Sequence, residues 1–140
     1  MVIKDNQTTV QLEIGKRILV VDDEPDVCFV LETVLDENGF VVDSYQDPLL
    51  ALKRFKAHLY DLVILDIKMP ELNGFALYRE IKRLDKKVKV CFLMAGEMHS
   101  DIFSSLPANH FVRKPIDNEG LIERINDIIA DDTPPFEPTN

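Results

Sequence analysis

The fold of this chain is decided by the stretch Tyr60-Asp-Leu-Val-Ile-Leu-Asp-Ile-Lys-Met-Pro-Glu-Leu-Asn-Gly74. Within it, an apolar run from Leu62 to Leu65 leads to a single carboxylate, Asp66, and the pattern then breaks at Pro70. A short run rich in Val and Ile, bounded by turn residues, is typical of a strand that is buried on both faces. Asp66 is therefore predicted at the carboxyl end of a buried strand, which is where open α/β sheets bind their ligands.

Two further runs have the same design. The run Arg17-Ile-Leu-Val-Val ends in the acids Asp22 and Asp23, and the run His110-Phe-Val-Arg ends in Lys114. Because parallel strands end at one edge of a sheet, we expect three carboxylates and one ammonium in a shared crevice. At a separation of about 5 Å and a dielectric near 20, each like-charged pair costs on the order of 3 kcal/mol. A proton or a cation must therefore neutralise the cluster, and hard oxygen ligands with room for water suit Mg²⁺.

These motifs together resemble a two-component response-regulator receiver domain of the CheY-like superfamily. The resemblance covers roughly residues 16–131, and its motifs occur in the family's order and at close to its spacings: Asp22-Asp23, Asp66, Met69-Pro70, Asn73-Gly74 and Lys114-Pro115. It implies an α/β fold of the flavodoxin-like, doubly wound type. Such a fold has a five-stranded parallel sheet in the order 2-1-3-4-5, which is the order of CheY itself, with helices on both faces.

The chain of 140 residues is predicted to hold one domain. We expect a flexible N-terminal extension over residues 1–15, a receiver domain over 16–131, and an acidic, Pro-rich tail or linker over 132–140. Besides the run ending at Asp66, strands are predicted at Arg17–Val21, Val41–Tyr45, Lys89–Met94 and Phe111–Arg113. The first helix is predicted to begin at Pro25 and to stop at Asn38-Gly39, and the second to follow its cap residue Asp47. Further helices are predicted over Phe75–Leu84, as a short element at Asp101–Ser105, and around Leu121–Ile129.

Composition argues against several classes of protein. A net charge of −9 disfavours non-specific nucleic-acid binding, which needs basic surface to release counterions. No apolar run reaches about 18 residues, and the N-terminus lacks the pattern of a secretion signal. Cys28 and Cys91 are expected to be small core residues without a disulfide, as in a reducing compartment. The sequence therefore predicts a cytoplasmic protein with no membrane partner and no direct nucleic-acid partner.

The resemblance implies a role for each residue of the crevice. Asp66 would be the phosphoacceptor, whose carboxylate attacks the phosphorus of a phosphohistidine and becomes an aspartyl phosphate. Mg²⁺ would be bound directly by Asp23, by Asp66 and by the backbone carbonyl of Lys68. Asp22 would reach the ion through a water molecule. Lys114 would hold a phosphoryl oxygen as a point charge.

Simpler interpretations of the same residues remain open. Asp22 and Asp23 could form a solvated cap on the following helix, and Lys114 could be an ordinary surface lysine. Glu24 is expected to point away from the crevice into solvent if the acids alternate at the strand end. The Lys68 side chain either overhangs the site and tunes the lifetime of the phosphate, or is merely solvated.

The fourth strand departs from the family pattern. Receivers usually end this strand in Thr or Ser followed by Ala, whereas this chain has Met94-Ala95. The usual hydroxyl bonds a phosphoryl oxygen and draws the loop inward, and a methionine cannot donate that bond. A hydrogen bond to a charged group contributes roughly 1.5–3 kcal/mol, so its loss weakens coupling by about ten- to a hundred-fold. Phe111 occupies the family's switch-aromatic position, with a simple core aromatic as the alternative.

The leading functional hypothesis is a single-domain receiver that is not an enzyme. It would accept phosphate from a sensor histidine kinase or phosphotransfer protein and signal to a downstream protein effector by contact. A homodimer could form through the face made by Asp101–Ser105, the fifth strand and the final helix. The alternative is an atypical receiver that binds partners independently of phosphorylation because of Met94. A haloacid-dehalogenase-like phosphatase is disfavoured, because that family needs a second Asp where this chain has Lys68.

Overall fold

The structure is a computed structural model that describes residues 15–95 and 110–131. Its strands are β1 Arg17–Val21, β2 Val41–Tyr45, β3 Leu62–Asp66, β4 Lys89–Met94 and β5 Phe111–Arg113. Its helices are α1 Pro25–Glu37, α2 Pro48–Arg54, α3 Gly74–Leu84 and α4 Asn118–Ala130. None of the helices within these ranges is long and apolar enough to cross a membrane. The predicted helix at Asp101–Ser105, the tail over 132–140 and nearly all of the extension over 1–15 lie outside the described residues.

The strands form one parallel sheet in the order β2-β1-β3-β4-β5, which confirms the predicted topology. Its register determines where the strand ends lie. Val21 is paired with Leu65, so Asp22 follows β1 at the level at which Asp66 ends β3. Asp66 is in turn paired with Leu93 of β4. The acids predicted from separate runs of sequence therefore meet at one edge of the sheet.

Both faces of the sheet are covered, which confirms the doubly wound architecture. On one face, α1 and α4 pack on the sheet through a core made of Ile18, Val20, Cys28, Leu31, Leu35, Leu62, Ile64, Cys91, Leu93, Leu121, Ile125 and Ile128. On the other face, α2 and α3 pack through a core that includes Leu19, Val21, Ala51, Val63, Leu65, Leu77, Tyr78, Ile81, Val90 and Phe92. Successive residues of each strand enter opposite cores because side chains alternate across a strand.

Local sequence signals set the helix boundaries. The Asp47 side chain accepts hydrogen bonds from the backbone N–H groups of residues 49 and 50 and so caps α2, as predicted. The Asn73 side chain caps α3 by accepting from Ala76, which starts the helix one residue before the predicted Phe75. Gly39 ends α1 with a φ of 88°, a conformation that glycine adopts without strain.

Gly74 fixes the loop that follows β3. Its backbone N–H donates to the Ile67 carbonyl at 2.9 Å, which folds the loop back against the strand end. A Cβ atom at this position would collide with the Asp66 carbonyl oxygen and would lie 3.1 Å from Ile67 Cα. Because the colliding group is backbone, relief requires a shift of the strand end itself. Only a residue without a side chain fits here.

We therefore predict that Gly74→Ala lowers the free energy of unfolding by about 1–3 kcal/mol, as overpacking against rigid neighbours does. Gly120→Ala is the matched control. It replaces a glycine in α4, where the new methyl group meets only the movable Asp117 side chain. That control should leave stability unchanged or raise it by up to about 1 kcal/mol, because alanine favours helix. Urea denaturation of both variants makes the comparison, and equal midpoints would contradict the prediction.

Candidate functional site

Three carboxylates meet where β1 and β3 end. One oxygen atom from each of Asp22, Asp23 and Asp66 lies within 4.8 Å of the others. Asp22 is fully buried, Asp66 is nearly so with 7% of its side chain exposed, and Asp23 is half-buried. The burial of Asp22 rules out the solvated-cap alternative for that residue. The structure thus brings together the acids that the sequence predicted in one crevice.

Lys114 enters the same cluster from the end of β5. Its Nζ atom lies 2.9 Å from Asp22 Oδ2, 3.0 Å from Glu24 Oε1 and 3.4 Å from Asp66 Oδ1. Its backbone N–H donates to the Met94 carbonyl at 2.9 Å, which continues the pairing of β4 with β5 into the site. Only 19% of the Lys114 side chain is exposed. It is therefore not the surface lysine that the simpler interpretation allowed.

Glu24 is the functional candidate that sequence reasoning missed. Its side chain is 61% exposed, as expected, but its carboxylate pairs with Lys114 instead of pointing away. The expected alternation fails because β1 has already ended at Val21. Glu24 precedes Pro25, which restricts it to the extended conformation observed, with φ −91° and ψ 115°. That dipeptide is the sequence signal that could have placed the carboxylate on the crevice side of the helix start.

Burial and mutual repulsion shift the pKa values of the buried acids in the cluster. Desolvation and the charge of Asp22 raise the pKa of Asp66 to about 7, despite the opposing charge of Lys114. Desolvation also raises the pKa of Asp22. Burial alone would lower the pKa of Lys114, but its close contacts with Asp22 and Glu24, together with the charge of Asp66, raise that pKa above its usual value. The cluster therefore holds its ammonium firmly and still carries excess negative charge.

The donor set fits a hard divalent cation. Although the Lys114 ammonium lies 2.9 Å from Asp22 Oδ2, that buried oxygen has no partner with hydrogen-bond geometry. Carboxylate oxygens bind Mg²⁺ directly or through water molecules that the ion retains, and the unpaired Asp22 oxygen can accept from such a water. The cluster opens into a cavity of about 680 Å³, which has room for water and a phosphoryl group. The exposed Lys68 also lines this cavity, whereas a metal contact by its backbone carbonyl stays a prediction.

The predicted switch residues lie at the end of β4, just after it, and at the start of β5. Met94 is buried at the end of β4, and the exposed Ala95 after it lines the cavity. Phe111 is buried on the same side of the sheet as Met94. Its ring stacks on Phe92, with 5.6 Å between the ring centroids. The side chain of Phe111 is thus part of the core, and the segment 96–109 between it and Met94 lies outside the described residues.

Fold and site together define a class: a doubly wound α/β protein with an acidic crevice and a lysine at the carboxyl edge of its sheet. A sequence model of the response regulator receiver domain matches residues 18–126. The chain therefore belongs to the response regulator receiver family, which is CheY-like and serves two-component signalling. Members of this family are generally signalling modules without enzymatic activity, and they bind Mg²⁺ at an acidic pocket.

Similar proteins agree with this assignment. The chain is 33% identical over 113 residues to the chemotaxis protein CheY of Bacillus subtilis, covering 79% of this chain and 94% of that protein. It is 31% identical over 115 residues to the response regulator SaeR of Staphylococcus aureus, covering 81% of this chain. The match covers only 50% of the length of SaeR.

Solved structures share the fold. A response regulator receiver domain protein from Clostridium thermocellum superposes with a TM-score of 0.67 at 28% identity, covering 81% of this chain and 94% of that one. The receiver domain of a sensor histidine kinase from Pseudomonas aeruginosa superposes with a TM-score of 0.71 at 26% identity, covering 84% and 99%. That second structure has a magnesium ion coordinated in its active-site cleft.

The raised pKa of Asp66 predicts how stability depends on pH in the absence of divalent ions. Between pH about 4 and about 7 the folded protein keeps a proton that the unfolded chain releases. The stability of the wild type therefore falls as the pH rises through this window. Asp66→Asn removes the charge and should raise the free energy of unfolding at pH 8 by on the order of 2 kcal/mol, with little change at pH 4.

Urea denaturation in EDTA at both pH values measures this difference. Asp36→Asn, an exposed aspartate of α1, is the control and should change stability by less than about 0.5 kcal/mol at either pH. A destabilised Asp66→Asn at pH 8 would show that the Lys114 ion pair outweighs the repulsion among the carboxylates.

Proposed function

We propose that this protein accepts a phosphoryl group on Asp66 and transmits the signal by protein–protein contact. One observation carries the proposal: the Asp66 carboxylate borders an acidic cavity, with the Lys114 ammonium 3.4 Å from its Oδ1 atom. A carboxylate is a weak nucleophile, so transfer to it depends on positioning and on neutralising the charge around phosphorus. The groups around Asp66 are suited to both tasks.

The donor in this proposal is a phosphohistidine of a sensor histidine kinase or phosphotransfer protein. An Asp66 oxygen forms a bond to phosphorus as the P–N bond breaks. The imidazole leaves with the electron pair of that bond and takes up a proton from solvent. The products are an aspartyl phosphate and a free histidine. The protein itself is a phosphoacceptor, with at most self-phosphorylation from small donors and slow loss of its phosphate.

Each residue of the cluster has a role in this transfer. Lys114 holds a phosphoryl oxygen as a point charge. Its ion pair with buried Asp22 fixes the ammonium beside Asp66. Asp23, Asp66 and the Lys68 backbone carbonyl would hold Mg²⁺, with Asp22 joined through water. When bound, the ion supplies the positive charge that offsets the phosphoryl oxygens. The grouping of the three carboxylates within 4.8 Å supports this ligand set.

The surface beside the cavity supports a protein as the phosphodonor. Val30 on α1 is 40% exposed, although it is apolar. Val30 also lines the cavity, together with Pro115 and Ile116 from the segment after β5. Exposed apolar side chains next to a reactive carboxylate suit a docking protein better than a small, fully hydrated donor.

The compartment and the oligomeric state are further parts of the proposal. We place the protein in the cytoplasm, because Cys28 and Cys91 are both buried and free, as in a reducing compartment. The predicted homodimer face includes Asp101–Ser105, which lie outside the described residues, so the dimer stays a prediction.

The first prediction from this proposal concerns phosphorylation. Acetyl phosphate with Mg²⁺ should add one phosphate to the wild type, measured by intact mass, and none to Asp66→Ala. Chelating the metal should abolish labelling. Lys114→Ala should slow it on the order of 100-fold, as the loss of a group that stabilises charge in the transition state does. The control Lys53→Ala, which changes an exposed lysine of α2, should keep the wild-type rate. Phosphate gained by Asp66→Ala would refute the assignment.

A second candidate function is a receiver that binds partners independently of phosphorylation, and Met94 is the observation that favours it. A methionine at this position has no hydroxyl to bond a phosphoryl oxygen. Phe111 is also already buried and stacked on Phe92 in the unmodified protein. Under this proposal the chemistry at Asp66 survives, because Lys114 and the acids remain, while the response of the β4–β5 edge is lost.

Beryllofluoride, which mimics a phosphoryl group on Asp66, separates the two candidates. If the switch is lost, beryllofluoride should shift NMR signals around Asp66 but leave the Phe111 ring signals unchanged. Met94→Thr should restore a shift at Phe111, with Met94→Leu as the matched control that lacks a hydroxyl. Movement of the wild-type Phe111 ring to the same extent as in Met94→Thr would eliminate the phosphorylation-independent candidate.

A further inference from the structure

We propose that Glu24 restrains phosphorylation by occupying the place on the Lys114 ammonium that an incoming phosphoryl oxygen must take. This inference rests on the proposed function of Asp66 and Lys114. It assigns Glu24 a regulatory, positioning role, distinct from that of the metal-binding acids.

The number of donors on Lys114 is the basis of the inference. An ammonium has three N–H donors and no acceptor. Three carboxylates, those of Asp22, Glu24 and Asp66, surround it at 2.9, 3.0 and 3.4 Å. The contact with Glu24 is a hydrogen bond, whereas Asp22 Oδ2 has no hydrogen-bond partner, so an arriving phosphoryl oxygen competes with Glu24 for a donor of Lys114.

Burial indicates which group gives way. Asp22 is fully buried, and one of its oxygens also accepts the backbone N–H of Glu24 at 2.9 Å, so it has no route into solvent. Asp66 is the residue that carries the phosphoryl group under the proposed function. Glu24 is 61% exposed, so its carboxylate can leave Lys114 and be hydrated in place. The phosphoryl oxygen and the Glu24 carboxylate therefore compete for the same donor.

The position of Glu24 at the start of α1 leaves its carboxylate available to Lys114. Glu24 is the N-cap residue of α1, yet its side chain makes no capping hydrogen bond. Its backbone carbonyl instead accepts from Val27 and Cys28, which fixes the residue at the start of the helix. Because the side chain does not serve the helix, its contact with Lys114, 90 positions away in sequence, is the interaction that orients it.

The expected effect is modest and sensitive to salt. An exposed ion pair changes an equilibrium by about two- to fivefold. Removing the Glu24 charge should therefore speed labelling by acetyl phosphate, and tighten beryllofluoride binding, by about two- to fivefold at low ionic strength. Salt screens exposed charges, so the difference from the wild type should shrink in high salt.

The test compares Glu24→Gln with Asp26→Asn in the full chain. Asp26 is an exposed acid two residues further along the same chain segment, and its loss changes the net charge equally without removing a partner of Lys114. Glu24→Gln should label two- to fivefold faster than the wild type, and Asp26→Asn should change the rate by less than half as much. Glu24→Asp keeps the charge on a shorter side chain and should restore most of the restraint. Thermal denaturation checks that all variants remain folded.

The outcomes are distinguishable. Equal labelling rates for Glu24→Gln and Asp26→Asn would overturn the inference, because the effect would then come from the change in net charge and not from the contact with Lys114. Slower labelling of Glu24→Gln would also overturn it, by showing that Glu24 helps Lys114 to engage phosphate. Failure of the wild type itself to gain a Mg²⁺-dependent phosphate would instead refute the proposed function on which the inference rests.

Discussion

The structure of this receiver depends on how negative charge is balanced at the carboxyl edge of its sheet. The pairing of β1 with β3 sets Asp22 and Asp66 side by side, and burial denies both of them the hydration that would weaken their repulsion. Lys114 is the cation within the described cluster that offsets this repulsion. Burial, together with the charge of Asp22, raises the pKa of Asp66, and the excess negative charge suits the site to a divalent cation. The same clustering of carboxylates that suits the site to a cation therefore lowers the stability of the fold when no cation is bound.

Much of the fold could be predicted from sequence because its strands are buried on both faces. The apolar run from Leu62 to Leu65 has no polar face, so the residues on either side mark its ends, and β3 begins and ends where the pattern indicates. The register of parallel strands then brings the strand-end acids together. The same reasoning placed Lys114 in the crevice, because β5 is parallel to the other strands and its carboxyl end lies on the same side of the sheet as theirs.

The remainder could not be predicted because it depends on geometry beyond the ends of the strands. The alternation that placed Glu24 in solvent holds only within a strand, and past Val21 the backbone follows the extended conformation imposed by Pro25. Val30 also stands at helical spacing with Val27, Leu31 and Val34, a pattern typical of the inner face of a helix, yet this residue is 40% exposed. The spacing identified an apolar side chain correctly, but it could not say that the cavity leaves that side chain uncovered.

The hydrogen bond from the Lys114 N–H to the Met94 carbonyl has a consequence for how position 94 can vary. It joins main-chain groups, so it persists whichever side chain stands at this position. It is present with Asp66 unmodified, so it forms without any contribution from a phosphoryl group. Position 94 can therefore exchange a hydroxyl for a thioether without loosening Lys114 from the sheet. The contribution of position 94 to the pairing of β4 with Lys114 is therefore made by its backbone and not by its side chain.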